Sequence, residues 1–245
     1  LPCSVTLAFK LGVAMSNRVI RVALLGAEST GKTSLSLAMS QALSAHGQKV
    51  LTVTEKLREW CNQHGRTPQA HEQAHIAASQ CEAIFSITEG WVIADTTALM
   101  TAVYSDYIFQ DKSLYDFALE HQSQFDATLL MGLDVAWVAD GLQRDGKHVR
   151  EPVDNLLRQA LSQANIDFKE VYGHGQARVN AAIMALQDSL PPELKSLLAS
   201  LALSDTQLQR ENNQFGLNQG RTVWRCDLCS DADCEHKLFS DLLKP

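Results

Sequence analysis

Gly26-Ala27-Glu28-Ser29-Thr30-Gly31-Lys32-Thr33 is the stretch on which the fold turns. It fits G-x-x-x-x-G-K-[ST] at every fixed position, a pattern whose meaning depends on what flanks it. Before it runs Val19-Ile20-Arg21-Val22-Ala23-Leu24-Leu25, a β-rich segment of the kind buried on both faces of a parallel sheet. After it, Lys32 to His46 carries Leu35, Leu37, Ala38, Ala42 and Leu43 at helical spacing and stops at Gly47. Strand, glycine loop and helix in that order make an anion cradle. Glycines let successive backbone N–H groups face a phosphate, and the positive end of the helix dipole adds to the attraction. Lys32 is expected to reach the outer phosphates and the Thr33 hydroxyl to hold Mg²⁺, with Gly26, Glu28, Ser29, Thr30, Gly31 and Ser34 completing the ATP-binding set.

Outward from the loop the pattern repeats. Lys49 to Thr54 is predicted as a strand, Pro68 to Thr88 as a long helix, and Trp91 to Ala94 as a third strand. Helices over Ala98 to Phe109 and Leu114 to Gln124 precede a strand over Ala127 to Leu133. A helix opened by Pro152 and running to about Asn165 leads to a fifth strand, Phe168 to Tyr172, and a helix over Gln176 to Leu190. Alternation of this kind implies βαβ crossovers and a mostly parallel five-stranded sheet with helices on both faces, the α/β fold of a P-loop NTPase. Pro191-Pro192 is the expected boundary. The division expected is an N-terminal extension over 1–15 outside the fold, a P-loop domain over 16–190, and a helical segment with a Cys-rich tail over 191–245.

The chain has 245 residues and a formal net charge of -7, which argues against a phosphate-backbone binder, since such proteins cluster Lys and Arg. No nucleic acid and no membrane are expected as partners. Leu1 to Ala14 lacks a basic start, is broken by Lys10 and is too short to span a bilayer, so the expected location is cytoplasmic. Cys3, Cys61 and Cys81 are scattered and read as reduced thiols. Cys226-x2-Cys229-x4-Cys234-x-His236 is different: three thiolates and an imidazole suffice for structural Zn²⁺, although loose thiols or a redox pair fit the spacing too.

A phosphate cradle does not say where the phosphate goes. Ligands of such sheets sit beyond the carboxyl ends of the strands, where Glu55 and Asp95 project. Asp95 is placed to hold Mg²⁺ directly or through water. Thr96 follows it where many ATP hydrolases have glutamate, and no [NT]-K-x-D guanine-reading motif occurs. Transfer to an acceptor hydroxyl remains, with Glu55 or Asp95 taking its proton. A nucleotide-dependent switch is the reading from another class.

Four segments together resemble the ribosylnicotinamide kinase domain of the NadR family and its stand-alone relatives: the Gly26 to Thr33 loop, Thr54 to Trp60, Ala94 to Leu99, and Asp134 to Arg144. The resemblance spans about Val19 to Leu190 and implies ATP-dependent phosphorylation of the ribose 5′-hydroxyl of nicotinamide riboside, with another nucleoside as the alternative acceptor. It implies that Glu55, Arg58 and Asp95 surround the transferred phosphate and the ribose. The loop from Asp134 to Asp145, with Asp140, would then cover the acceptor. Trp137 either stacks on the pyridinium ring or packs in the core. Arg144 and Arg150 fall where related kinases keep a lid, Arg144 being the expected stabiliser of the migrating phosphoryl group, and Arg178 matches a position near the adenine. A homo-oligomer rests on the family likeness alone.

Overall fold

The computed structural model describes residues 18–138 and 147–202. Five strands form one parallel sheet in the order β2-β3-β1-β4-β5: β1 is Ile20–Leu25, β2 Val50–Val53, β3 Trp91–Asp95, β4 Ala127–Met131 and β5 Lys169–Val171. The helices are α1 (Lys32–Ala45), α2 (Lys56–His64), α3 (Ala70–Phe85), α4 (Ala98–Phe109), α5 (Tyr115–Gln122), α6 (Arg150–Gln163) and α7 (Gly175–Ser189).

The period-2 rule of strands explains the layers. In β1, Ile20, Val22 and Leu24 join one core with Leu35, Met39 and Leu43 of α1 and Val179, Ile183 and Leu186 of α7. Ala23 and Leu25 face the other way, into a core with Ala77 and Cys81 of α3, Leu99 and Val103 of α4, and Val153, Leu157 and Leu161 of α6. A strand buried on both faces is apolar along most of its length, which is why β1, apart from the part-buried Arg21 near its start, shows no alternation.

The first core continues past Pro191-Pro192. A helical stretch over 192–202 buries Leu194, Leu198 and Leu201 against it, so packing does not break at the proline pair.

Three details depart from the sequence expectation. Helix α2 was not foreseen: its sequence, KLREWCNQH, is short and mostly polar, and of its three apolar residues at helical spacing, Leu57, Trp60 and Cys61, only Cys61 is buried. Helix α6 begins at Arg150, two residues before Pro152, behind a 3-10 turn over Lys147–Val149. Proline sits comfortably in a first turn because the N–H it lacks has no intrahelical acceptor there. Helix α3 starts at Ala70 instead of Pro68, because Gln69 and Glu72 close a capping box: the Gln69 side chain accepts from the backbone N–H of Glu72, and the Glu72 carboxylate from that of Gln69.

Candidate functional site

The glycine loop leaves the carboxyl end of β1, the central strand, and its backbone is held in a shape few residues tolerate. Gly26 has φ 149° and Gly31 φ 76°, and a Cβ on Gly26 would stand 2.9 Å from Met131 Cβ. Ser29 adopts φ 54° without being glycine. The Thr30 hydroxyl closes the curl by donating to the Ala27 carbonyl at 2.8 Å. Lys32 Nζ donates to the carbonyls of Gly26 at 2.8 Å and Ala27 at 3.0 Å, which holds the ammonium at the mouth of the loop.

The segment leaving β4 is fastened to the same loop. Ser29 Oγ donates to the Ala136 carbonyl at 3.2 Å and accepts from the Val138 amide at 2.8 Å. The Trp137 indole N–H donates to Oε2 of the buried Glu28 at 3.1 Å.

Asp95 ends β3, four-hundredths exposed, and its Oδ2 accepts from the Thr33 hydroxyl at 2.5 Å. A hydroxyl and a carboxylate oxygen side by side at the phosphate loop are the hard donors Mg²⁺ takes when it arrives with a nucleotide and keeps several waters. Among the described residues no cluster of three or more His, Cys, Asp or Glu could hold a metal ion by itself. The four cysteine and histidine positions of the tail, Cys226, Cys229, Cys234 and His236, lie outside the described residues, as do Asp140 and Arg144.

The three residues closing β3 have separate duties. Asp95 meets Thr33. Thr96 bends the chain with φ 82°, rare for a β-branched residue, and borders the adjoining cavity. Thr97 caps α4: its hydroxyl accepts from the Leu99 amide at 3.3 Å and donates to Gln122 Oε1 at 2.7 Å.

A cavity of about 620 Å³ opens from the phosphate loop toward α2, α3 and α4. Its loop end is bordered by Lys32, Thr33 and Thr96, and its far side by Glu55, Arg58 and Cys61 of the β2–α2 corner. Met100, Tyr104 and Ile108 of α4, one turn apart from one another, give an apolar wall. Glu55 pairs with Arg58 Nε at 3.5 Å, so carboxylate and guanidinium share that corner. Trp137 is not among the residues that border this cavity.

Gln80, in the buried stripe of α3, anchors the corner. Its Oε1 accepts from the Lys56 amide at 2.8 Å, and its Nε2 donates to the carbonyls of Thr54 at 3.3 Å and Thr96 at 3.4 Å. One side chain thereby ties the ends of β2 and β3 together on either side of Glu55. Burial pushes the Cys61 thiol above its ordinary value, with the Glu55 carboxylate adding to the effect.

Arg178 and Arg150 are both buried. Arg178 Nη1 donates to the Gly173 carbonyl at 3.0 Å and lies 3.6 Å from Asp134, whose Oδ2 accepts from the Gly173 amide at 2.6 Å. Burial lowers the Arg178 pKa, Asp134 opposing this and Arg150 adding to it. These contacts bind the exit of β5 to the exit of β4, and neither arginine borders the cavity.

A family model described as AAA domain matches residues 21–178, from the second residue of β1 into α7. The chain belongs to this AAA-domain family. Its fold is also that of NadR: a crystal structure of NadR protein in complex with NR aligns with a TM-score of 0.57 at 17% identity, covering 70% of this chain and 50% of that one. A crystal structure of NadR in complex with NAD and AMP-PNP aligns with 0.55 at 17% identity, covering 70% and 49%. The chain thus spans about half the length of those proteins, and at this identity the likeness is one of fold. No curated protein sequence matches the chain. Among the described residues no helix is long and apolar enough to cross a membrane.

The sequence reading missed Gln73, Gln80 and Tyr104. A signal for the first two was present: Gln73, Ile76, Ala77, Gln80 and Ile84 share the buried stripe of α3, so two glutamines occupy positions where the helical period calls for apolar residues.

Proposed function

We propose that this AAA-domain protein is an ATP-dependent kinase of small nucleosides, and that its acceptor is the ribose 5′-hydroxyl of nicotinamide riboside. The observation that carries the reading is the continuity of the cavity: it runs from Lys32 and Thr33 at the phosphate loop to the Glu55 and Arg58 corner. A hydrolase needs room for water only, whereas a volume of about 620 Å³ with an apolar wall suits a second, drug-sized ligand beside the phosphates.

On this reading the loop's backbone N–H groups and Lys32 bind the phosphates of ATP. Thr33 and Asp95 would hold Mg²⁺, which on binding offsets phosphate charge. Glu55 accepts the proton of the attacking hydroxyl as the O–P bond forms, and Arg58 keeps that carboxylate oriented and attracts the phosphoryl oxygens. Arg144 supplies further positive charge to the migrating group. The NadR structure in complex with NR supports this choice of acceptor through its shared fold.

The test is turnover. Purified protein with Mg·ATP and a nucleoside panel should give a 5′-monophosphate detectable by mass, fastest with nicotinamide riboside, and Lys32→Ala should abolish the product. A protein that binds ATP yet leaves every nucleoside unchanged would instead be a nucleotide-dependent switch.

A further inference from the structure

The start of α3 carries a pattern that the phosphate loop does not use. His71-Glu72-Gln73-Ala74-His75 fits H-E-x-x-H, in which two imidazoles one helical turn apart hold a metal ion and the glutamate between them acts as general base for hydrolysis. The structure keeps half of that chemistry. Both Glu72 oxygens are engaged: Arg66 donates to Oε1 at 2.7 Å and to Oε2 at 2.8 Å, and the Gln69 amide donates to Oε2 at 2.8 Å. A carboxylate gripped in this way is poorly placed to take a proton from water. Among the described residues no third His, Cys, Asp or Glu completes a set of three ligands. Hydrolysis, which needs a free base, does not fit this turn.

The two imidazoles remain. Residues i and i+4 of a helix are neighbours on one face, their Cβ atoms ~5–6 Å apart. His71 and His75 hold this spacing within α3, and both are exposed. Their ring nitrogens are also open. His46, His64 and His121 each turn Nδ1 onto the carbonyl four residues earlier, at 3.0, 2.9 and 2.8 Å. Neither His71 nor His75 makes a hydrogen bond among the described residues.

We propose that His71 and His75 form a surface chelate for a divalent metal of the Zn²⁺, Ni²⁺ and Cu²⁺ class, with water in the remaining positions. Imidazole suits these ions, whereas Mg²⁺ takes oxygen donors, so the site does not compete with Thr33 and Asp95 for the metal of a nucleotide. Neither histidine borders the cavity, but Gln69 and Gln73, on another face of the same turns, do. A metal bridging His71 and His75 therefore braces the stretch of α3 that lines the cavity. The inference needs only α3 and stands apart from the kinase reading.

The test is a Ni²⁺ titration of the whole chain, its accessible thiols first blocked with iodoacetamide so that the cysteine-rich tail contributes no thiolate. Calorimetry on wild type should show a site that excess Mg²⁺ leaves unaffected. Ni²⁺ at about a hundred times the measured Kd should raise Tm by about 5 °C or more. His71→Gln and His75→Gln should each weaken the site at least about tenfold and lose the rise in Tm, because one imidazole cannot chelate. His64→Gln should keep both. Urea-unfolded wild type should bind no more tightly than the two variants, since the spacing exists only in the helix. A wild-type Tm unmoved by Ni²⁺, or a rise that survives in both His71→Gln and His75→Gln, overturns the inference. Should a glutamine variant melt early without metal, folded and unfolded wild type decide alone: equal affinity in the two states sinks the site.

Discussion

Gln80→Leu is the substitution through which the corner geometry can be weighed. Leucine matches the buried volume but removes one full hydrogen bond, from the Lys56 amide at 2.8 Å, and two longer ones to the carbonyls of Thr54 and Thr96 at 3.3 and 3.4 Å. Counting the long pair as about one bond, roughly two are lost, each worth ~0.5–1.5 kcal/mol net, and the amide left behind adds a desolvation penalty of ~1–3 kcal/mol. Burial of the new apolar surface returns about 1 kcal/mol. The expected loss is therefore about 1–5 kcal/mol, centred near 3, and the central value corresponds to a fall of roughly 6–12 °C in Tm for a domain of this size. Because Gln80 bonds on both sides of Glu55, its loss should also lower kcat for phosphoryl transfer, about tenfold or more, as small displacements of reacting groups do. Affinity for ATP should be unchanged, since Gln80 makes no bond to the phosphate loop. Circular dichroism melts and steady-state turnover with nicotinamide riboside measure both effects. A Tm within about 2 °C of wild type together with an unaltered kcat would refute the role given to Gln80.

Gly26→Ala should reduce nucleotide affinity at least about tenfold and cost ~1–3 kcal/mol in urea unfolding, because its Cβ would meet Met131 Cβ at 2.9 Å and Thr30 Oγ1 at 3.0 Å. The Arg66 guanidinium grips Glu72 by two hydrogen bonds of 2.7 and 2.8 Å and, with the Gln69 amide, holds its carboxyl at about 2, below the ordinary 4.5. A depressed carboxylate contributes stability above its unfolded pKa and loses it as pH falls through the folded one, so the Tm gap between wild type and Glu72→Gln should be full at pH 6 and shrink between about pH 4.5 and 2. A gap independent of pH would show that the ion pair contributes nothing. Burial pushes the Cys81 thiol up to about 11, so iodoacetamide at pH 8 should leave it unmodified in the native protein and label it once the protein is unfolded.

What could be read in the sequence was whatever local pattern encodes. The phosphate loop announced itself because its glycines, lysine and threonine fall within eight consecutive residues, and β1, β3 and β4 because burial on both faces makes their runs mostly apolar. Helix α2 stayed hidden because it meets the core through a single residue, Cys61, and displays charge elsewhere. The cavity was invisible for another reason. Gln73, Thr96 and Tyr104 come from separate elements and border one space only after the sheet has aligned α3 and α4. Trp137 was singled out as an aromatic near the site, yet what it bonds is Glu28, 109 positions away, a pairing no spacing could suggest.

That pairing has a partner in Ser29, whose hydroxyl is occupied on both sides, donating to Ala136 and accepting from Val138. A phosphate that called on this hydroxyl would have to compete with the Val138 amide. Nucleotide arrival and release of the segment beyond β4 would then form a single thermodynamic cycle. By reciprocity, whatever tightens that segment on the loop weakens the nucleotide, and by the same factor the nucleotide loosens the segment.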